Sequence, residues 1–97
     1  MHLAICKLTI RMPENHTLKD KRRVANSLSS KLRNKYNVAI AQVENTDIPK
    51  TLTLGVACVS NSRKHAEQIM SNVTNFVEHS RTNSYLVDHS MEIISGI

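Results

Sequence analysis

The sequence predicts an α+β domain whose elements follow the order β-α-β-β-α-β. Three observations carry this prediction. Four segments show the alternation or apolar runs of strands, two segments repeat apolar residues at helical spacing, and only two Gly and two Pro interrupt the 97 residues. A chain of this length holds one hydrophobic core, so we expect a single domain over residues 1–97. Its 40% hydrophobic and 22% charged residues are typical of a folded domain.

The first three strands are predicted over residues 3–12, 38–44 and 51–60. In the first, apolar residues alternate with more polar ones until Pro13 ends the strand. Its apolar face consists of Ala4, Cys6, Leu8, Ile10 and Met12. The third strand is apolar on both faces toward its C-terminal end, which favours a central position. Gly55 inside it indicates a β-bulge or a close approach of another backbone segment.

Two helices are predicted, over residues 17–36 and about 63–79. Thr17 and Asp20 resemble a capping box, and Ser62 is the expected N-cap of the second helix. The apolar stripe of the first helix is Leu18, Ala25, Leu28, Leu32 and Tyr36. The stripe of the second is Ala66, Ile69, Met70, Val73, Phe76 and Val77. We expect Leu8, Leu28, Val56 and Val73 to lie between the sheet and the helices.

A last strand is predicted over residues 85–94, after a turn at Arg81-Thr82-Asn83-Ser84. Its register stays open, because one alternating set of apolar residues competes with another. The first set is Tyr85, Val87, Met91 and Ile93, and the second is Leu86 and Ile94. Right-handed crossovers then give a four-stranded antiparallel sheet of order 4-1-3-2 with both helices on one face. This is the ferredoxin-like split βαβ fold.

The net charge of +5 is concentrated near the first helix. Residues 1–36 hold nine basic and two acidic residues, and residues 37–97 hold four basic and six acidic ones. Such a patch attracts polyanions by releasing their counterions, although a solvated helix face is an equally good interpretation. The candidate anion- or RNA-binding residues are Lys19, Lys21, Arg22, Arg23, Lys31, Arg33 and Lys35.

Two of these candidates have specific expected positions. Lys19 and Arg23 project away from the apolar stripe on the helical period, so both should face solvent. Lys21 projects near the stripe. We expect its methylene stem to pack and its ammonium to reach water beside the loop that follows the first strand, with placement for a partner as the alternative.

Sequence chemistry predicts neither catalysis nor metal binding. The five His are scattered without the spacing of metal ligands, and no Gly-rich phosphate loop is present. The segment Pro13-Glu14-Asn15-His16 places an acid where an acylphosphatase of this fold would bind phosphate. We therefore expect no enzyme activity, no cofactor, no metal and no small-molecule substrate. The outward positions of the central strands carry no aromatic residue, so RNA would be bound through its phosphates and shape rather than by base stacking.

Cys6 and Cys58 lie inside apolar runs and are expected as buried free thiols. Lys7 and Thr9 interrupt the N-terminal segment where a signal peptide would be continuously apolar. No stretch approaches the ~20 apolar residues of a membrane span. A cytoplasmic location without membrane attachment is the resulting prediction.

Three segments resemble the YlxP-like family of small uncharacterised bacterial proteins. They are ENHTLKDKRR at 14–23, LRNKYNVAIAQVEN at 32–45 and TLGVACVSNSRKHAEQ at 53–68. The resemblance covers nearly the whole chain and implies the same ferredoxin-like fold. The genes of this family tend to lie near genes for translation initiation and ribosome maturation, an association that does not supply a mechanism. This chain departs from the family pattern at 46–50, where many relatives carry an aromatic residue, often Trp.

Two functions from different classes follow as hypotheses. The first is a non-catalytic cytosolic protein that associates with RNA or the ribosome through its basic first helix. The alternative is a protein–protein interaction module that forms a homodimer or larger homo-oligomer through the open face of the sheet. Salt dependence separates them, because RNA binding weakens steeply with ionic strength and an apolar interface does not.

Overall fold

The structure is a computed structural model that describes residues 1–80 and 83–97, and its six elements follow the predicted order. The elements are β1 (His2–Arg11), α1 (Leu18–Lys35), β2 (Ala39–Glu44), β3 (Thr51–Ser60), α2 (Arg63–His79) and β4 (Tyr85–Ser95). The turn predicted at 81–84 falls partly outside the described residues.

The four strands form one antiparallel sheet in the order β2-β3-β1-β4, which confirms the predicted ferredoxin-like topology. β1 and β3 are central, in agreement with their apolar content. Both outer strands carry a β-bulge. In β2 it lies between Gln42 and Glu44, and in β4 it lies opposite Thr9 and Ile10.

The bulge in β4 explains why the register of this strand stayed open. Leu86 pairs with Ile10 on the face that the helices cover, and Ile93 pairs with Ala4 on the same face. The extra residue, Val87, shifts the inward set from even to odd numbers between these pairs. The second predicted set is therefore correct before the bulge, at Leu86, and the first set is correct after it, at Ile93.

Both helices begin at the N-caps that the sequence predicts. The Thr17 hydroxyl accepts a hydrogen bond from the Asp20 backbone N–H at 3.1 Å, and the Ser62 hydroxyl accepts one from the His65 N–H at 3.2 Å. Each cap satisfies a backbone donor that the helix itself leaves unpaired.

The core lies between the sheet and the two helices. Leu8, Leu28, Val56 and Val73 are buried there, as expected. Leu18 is an exception: it was expected in the stripe of α1 but is 42% exposed. The buried side of α1 begins one turn later, because Lys21 and Val24 occupy it instead. No helix in the described parts of the chain is long and apolar enough to span a membrane.

Candidate polyanion-binding helix and open sheet face

The outer surface of α1 is strongly basic. The helix contains seven basic residues and one acid, Asp20, which gives it a net charge of +6. Six of the seven are exposed to solvent: Lys19, Arg22, Arg23, Lys31, Arg33 and Lys35. The salt bridges found in residues 1–80 and 83–97 are Lys7–Glu44 and Arg63–Glu67, and neither uses a residue of α1. The positive charge of the helix therefore faces solvent without carboxylate partners in the described chain.

The last turn of α1 differs from the rest of the helix. The Arg33 guanidinium donates a hydrogen bond to the Ile40 carbonyl oxygen at 3.0 Å. The Lys35 ammonium lies 5.1 Å from the centre of the Phe76 ring, within reach of a cation–π contact. These two cations stabilise the C-terminal end of the helix against β2 and α2. Their exposed faces remain available, but their positions are fixed.

The other four exposed cations have no hydrogen-bond partner among the described residues: Lys19, Arg22, Arg23 and Lys31. Lys19 and Arg23 lie opposite the buried stripe, as predicted, while Arg22 and Lys31 flank it on either side. These four cations are distributed around much of the circumference of the helix rather than along one face. A single rigid polyanion can therefore contact only some of these cations at once.

Lys21 does not belong to this surface. It is 1% exposed, and its ammonium donates hydrogen bonds to the carbonyl oxygens of Asn45 and Ile48, the latter at 2.9 Å. The expectation that Lys21 would snorkel to water was wrong, because the β2–β3 loop folds over the helix and supplies these acceptors. Burial lowers the pKa of Lys21, and the nearby negative charge of Asp47 opposes this effect. Its ammonium cannot reach an anion outside the protein in this conformation.

The β2–β3 loop that covers Lys21 is itself held by Asn45. This residue adopts a left-handed backbone conformation with φ of 56°, which Asn tolerates better than most residues. Its side-chain amide donates to the Thr53 hydroxyl at 2.9 Å. Thr53 points to the open face of the sheet but is fully buried, because this loop covers it. Apart from the turn-forming character of the segment, no local sequence pattern indicates this role of Asn45.

A second lysine, Lys50, connects this loop to the loop between β1 and α1. Its ammonium donates to the carbonyl oxygens of Pro13 at 2.6 Å and Asn15 at 3.0 Å, and its own carbonyl accepts from the Met12 N–H at 2.8 Å. Lys50 was not among the predicted functional residues. Lys21 and Lys50 together fix both loops that flank the start of α1, so two basic residues of this region are used for structure.

The open face of the sheet, opposite the helices, is apolar at one end. One row across three strands forms a ridge in which Val59 and Ile94 are exposed and Leu3 between them is partly exposed. Beside the ridge lies a shallow groove of about 520 Å³. We call the ridge and the groove together the apolar patch. The groove is lined mainly by small and apolar residues, with the charged residues Lys7 and Glu92 at its border. The apolar residues include Ile5, Ala39, Ala41, Val43, Gly55 and Ala57.

Gly55 is required for the shape of the groove. A Cβ atom at this position would lie 2.7 Å from Cγ1 of Val43, the bulged residue of β2. Lys7 of β1, which pairs with Gly55, forms a 3.0 Å salt bridge with Glu44 of β2. The close approach at Gly55 is made by the side chain of Val43 rather than by backbone, and the bulge belongs to the neighbouring strand.

Comparison with known proteins identifies the family of this chain. A sequence model described as "Protein of unknown function (DUF503)" matches residues 3–91. The chain belongs to the DUF503 family. It is also similar to "Uncharacterized protein YlxP" of Bacillus subtilis (strain 168), with 32% identity over 62 residues, which covers 64% of this chain and 67% of that protein. The YlxP-like resemblance drawn from the sequence segments is confirmed, and the function of the family is unknown.

A solved structure supports the fold independently. A de novo designed protein with a ferredoxin fold, determined by solution NMR, superposes with a TM-score of 0.55 and 14% sequence identity. The match covers 100% of this chain and 88% of the designed one. At this identity the likeness concerns the fold alone, and the fold does not imply a function.

Proposed function

We propose that this protein is a non-catalytic RNA-binding protein that associates with structured RNA, such as that of the ribosome, through α1. The observation that carries the proposal is the set of exposed cations on α1 that lack partners in the described chain: Lys19, Arg22, Arg23 and Lys31. Ribosome association also requires the cytosolic location that the sequence predicts.

The shape of the basic surface sets the expected mode of binding. Because the cations spread around the helix, an RNA surface would contact about three or four phosphates at a time. Binding would then be weak to moderate, and the logarithm of the binding constant would fall with the logarithm of salt concentration with a slope of about −3 to −4. No base-specific contact is part of the proposal, since the sheet offers no aromatic side chain at the outward positions of β1 and β3.

Fluorescence anisotropy with a structured ribosomal RNA fragment, at several salt concentrations, tests this function. The variant Lys19→Glu/Arg23→Glu should lose binding without unfolding, because both side chains are exposed. The matched control is Arg63→Glu/Lys64→Glu, which makes the same charge change at the exposed start of α2. We expect the control to retain most of the affinity.

Two results would contradict the proposal. One is the absence of binding by the wild-type protein at low salt. The other is an equal loss of affinity in the α1 variant and the α2 control, which would indicate net charge rather than a defined surface. Copurification from a bacterial lysate with and without RNase extends the test to natural partners.

The alternative function, self-association through the open sheet face, is favoured by a different observation. Val59 is 64% exposed and Ile94 is 48% exposed, and both project from the apolar patch. Self-association through this patch should persist at high salt, where RNA binding is lost. The two activities use opposite faces of the sheet and do not exclude each other.

A further inference from the structure

The apolar patch contains both halves of a complementary contact. Its ridge projects the side chains of Leu3, Val59 and Ile94, and its groove has a floor of small residues that leaves room for such side chains. Ridge and groove lie in adjacent rows of the same sheet face. A surface of this kind fits a copy of itself, which is the requirement for an isologous two-fold contact.

We infer that a second copy of this chain covers the apolar patch, with the ridge of each copy in the groove of the other. The resulting dimer is a sandwich of two sheets. Because α1 lies on the opposite side of each sheet, the dimer presents two basic helices on its two outer surfaces. This last consequence rests on the proposed RNA binding by α1: the dimer is then a bivalent RNA-binding protein.

Charge favours contact through the open face over contact through the helices. The open face carries two basic residues, Lys7 and Arg11, and three acids, Glu44, Asp88 and Glu92, which leaves it near neutral at −1. Lys7 and Glu44 already form a salt bridge with each other. Two such faces do not repel strongly, whereas two copies of α1 at +6 each would.

The area of the open face sets an upper limit on the contact between two copies. Four strands about 4.8 Å apart, with central strands of 10 residues that rise about 3.3 Å each, cover roughly 600 Å². Two complete faces in contact would bury at most about 1,200 Å², and the apolar patch alone buries less, which is the size range of weak and reversible interfaces. We therefore expect a reversible dimer that dissociates at about micromolar concentration.

The edges of the sheet are poorer sites for a second copy. β2 is only six residues long, and its bulge interrupts the row of free backbone groups. β4 is longer, but it is also bulged, and it carries two acids, Asp88 and Glu92, that would approach those of a paired copy. Edge-to-edge pairing is thus disfavoured at both sides, and the open face remains.

Sedimentation equilibrium on the full chain tests the dimer. Val59→Lys should raise the dimer dissociation constant by about tenfold or more, because an unpaired ammonium would enter the apolar contact. Val87→Lys is the matched control: it is a valine of similar exposure, 59% against 64%, that lies outside the apolar patch in β4. Ile94→Lys, on the ridge of the outer strand, should repeat the effect of Val59→Lys.

Three sedimentation results would overturn the inference. The first is a wild-type protein that is monomeric up to about 1 mM, far above the expected dissociation constant. The second is an equal loss of dimer in the Val59→Lys variant and the Val87→Lys control. The third is growth beyond the dimer with concentration, which would indicate an open head-to-tail contact instead of a closed two-fold one. Circular dichroism confirms that each variant is folded.

The bivalency is tested separately by RNA binding. Val59→Lys and Val87→Lys add the same charge, so they should bind a short RNA hairpin equally well. With a long RNA that reaches both outer surfaces, Val59→Lys should bind about tenfold or more weakly than Val87→Lys. If the dimer forms but no RNA binds, the proposed function fails and the dimer stands. If the hairpin binds but long and short RNA show no difference between the variants, bivalency fails and the proposed function stands.

Discussion

The two helices contact the sheet with the same spacing but present different surfaces to solvent. Counted from the N-caps Thr17 and Ser62, the fourth, eighth, eleventh and fifteenth residues are buried in both. These residues are Lys21, Ala25, Leu28 and Leu32 in α1, and Ala66, Met70, Val73 and Val77 in α2. On its remaining surface α2 balances Arg63 and Lys64 against Glu67 and Glu78, whereas α1 is at +6. The charge of α1 is therefore not a requirement of helix packing in this fold.

Among the shared buried positions, the fourth residue after the N-cap is the one at which the two helices differ in charge. Ala66 is a small residue under α2, and Lys21 is a long cation in the equivalent position of α1. The β2–β3 loop lies over α1 at this point, and its carbonyl oxygens of Asn45 and Ile48 accept hydrogen bonds from the ammonium. A basic residue of α1 therefore serves either the fold or the surface, depending on whether its side chain is buried.

The largest expected effect concerns one of the four buried positions that the two helices share, the eleventh residue after the N-cap. Leu28→Ala should lower the free energy of unfolding by about 2–5 kcal/mol, because Leu28 is 3% exposed. Val73→Ala should cost less, since it deletes fewer buried carbon atoms. Urea titration measures both. A loss below about 0.5 kcal/mol for Leu28→Ala would remove this residue from the core.

Lys21→Met tests the position at which the helices differ. Methionine fills the space of the stem but cannot donate to the two loop carbonyl oxygens, so we expect a loss of about 1–3 kcal/mol. The control is the exposed neighbour Arg22→Met, which should change stability by no more than about 0.5 kcal/mol. Unchanged or increased stability of Lys21→Met would mean that desolvation of the ammonium costs as much as its hydrogen bonds return.

The N-caps provide a smaller and symmetric test. Thr17→Ala and Ser62→Ala each remove one hydrogen bond to a backbone N–H at the start of a helix. Each should cost about 1 kcal/mol in denaturant unfolding. A clearly larger loss for Thr17→Ala would show that the cap of α1 also supports the loops that Lys21 and Lys50 hold.

The smallest effect concerns the contact between the ends of the helices. A double-mutant cycle with Lys35→Met and Phe76→Leu should give a coupling free energy of about 0.5 kcal/mol, as expected for an exposed cation over an aromatic ring. A coupling free energy of zero would mean that Lys35 does not interact with Phe76 and only faces solvent. It would then be a stronger candidate for contact with RNA.

Most of the fold could be predicted because its determinants are local. Strand alternation, the helical stripes and the caps at Thr17 and Ser62 each depend on residues within a few positions of one another. The exposure of Lys19 and Arg23 followed from the same periodicity, since a residue opposite a buried stripe faces solvent. The charge of α1 was equally visible, because composition does not depend on how the chain folds.

Other features arise only when distant segments meet. Lys21 is buried because its acceptors lie 24 and 27 residues away in the sequence, in a loop whose path local patterns do not encode. The register of β4 depends on a bulge opposite β1, where one extra residue reverses the alternation that sequence reasoning relies on. The ridge and groove of the open face combine residues from all four strands. Hydrogen bonding and packing between segments far apart in the chain settle these points, and no single stretch of sequence contains them.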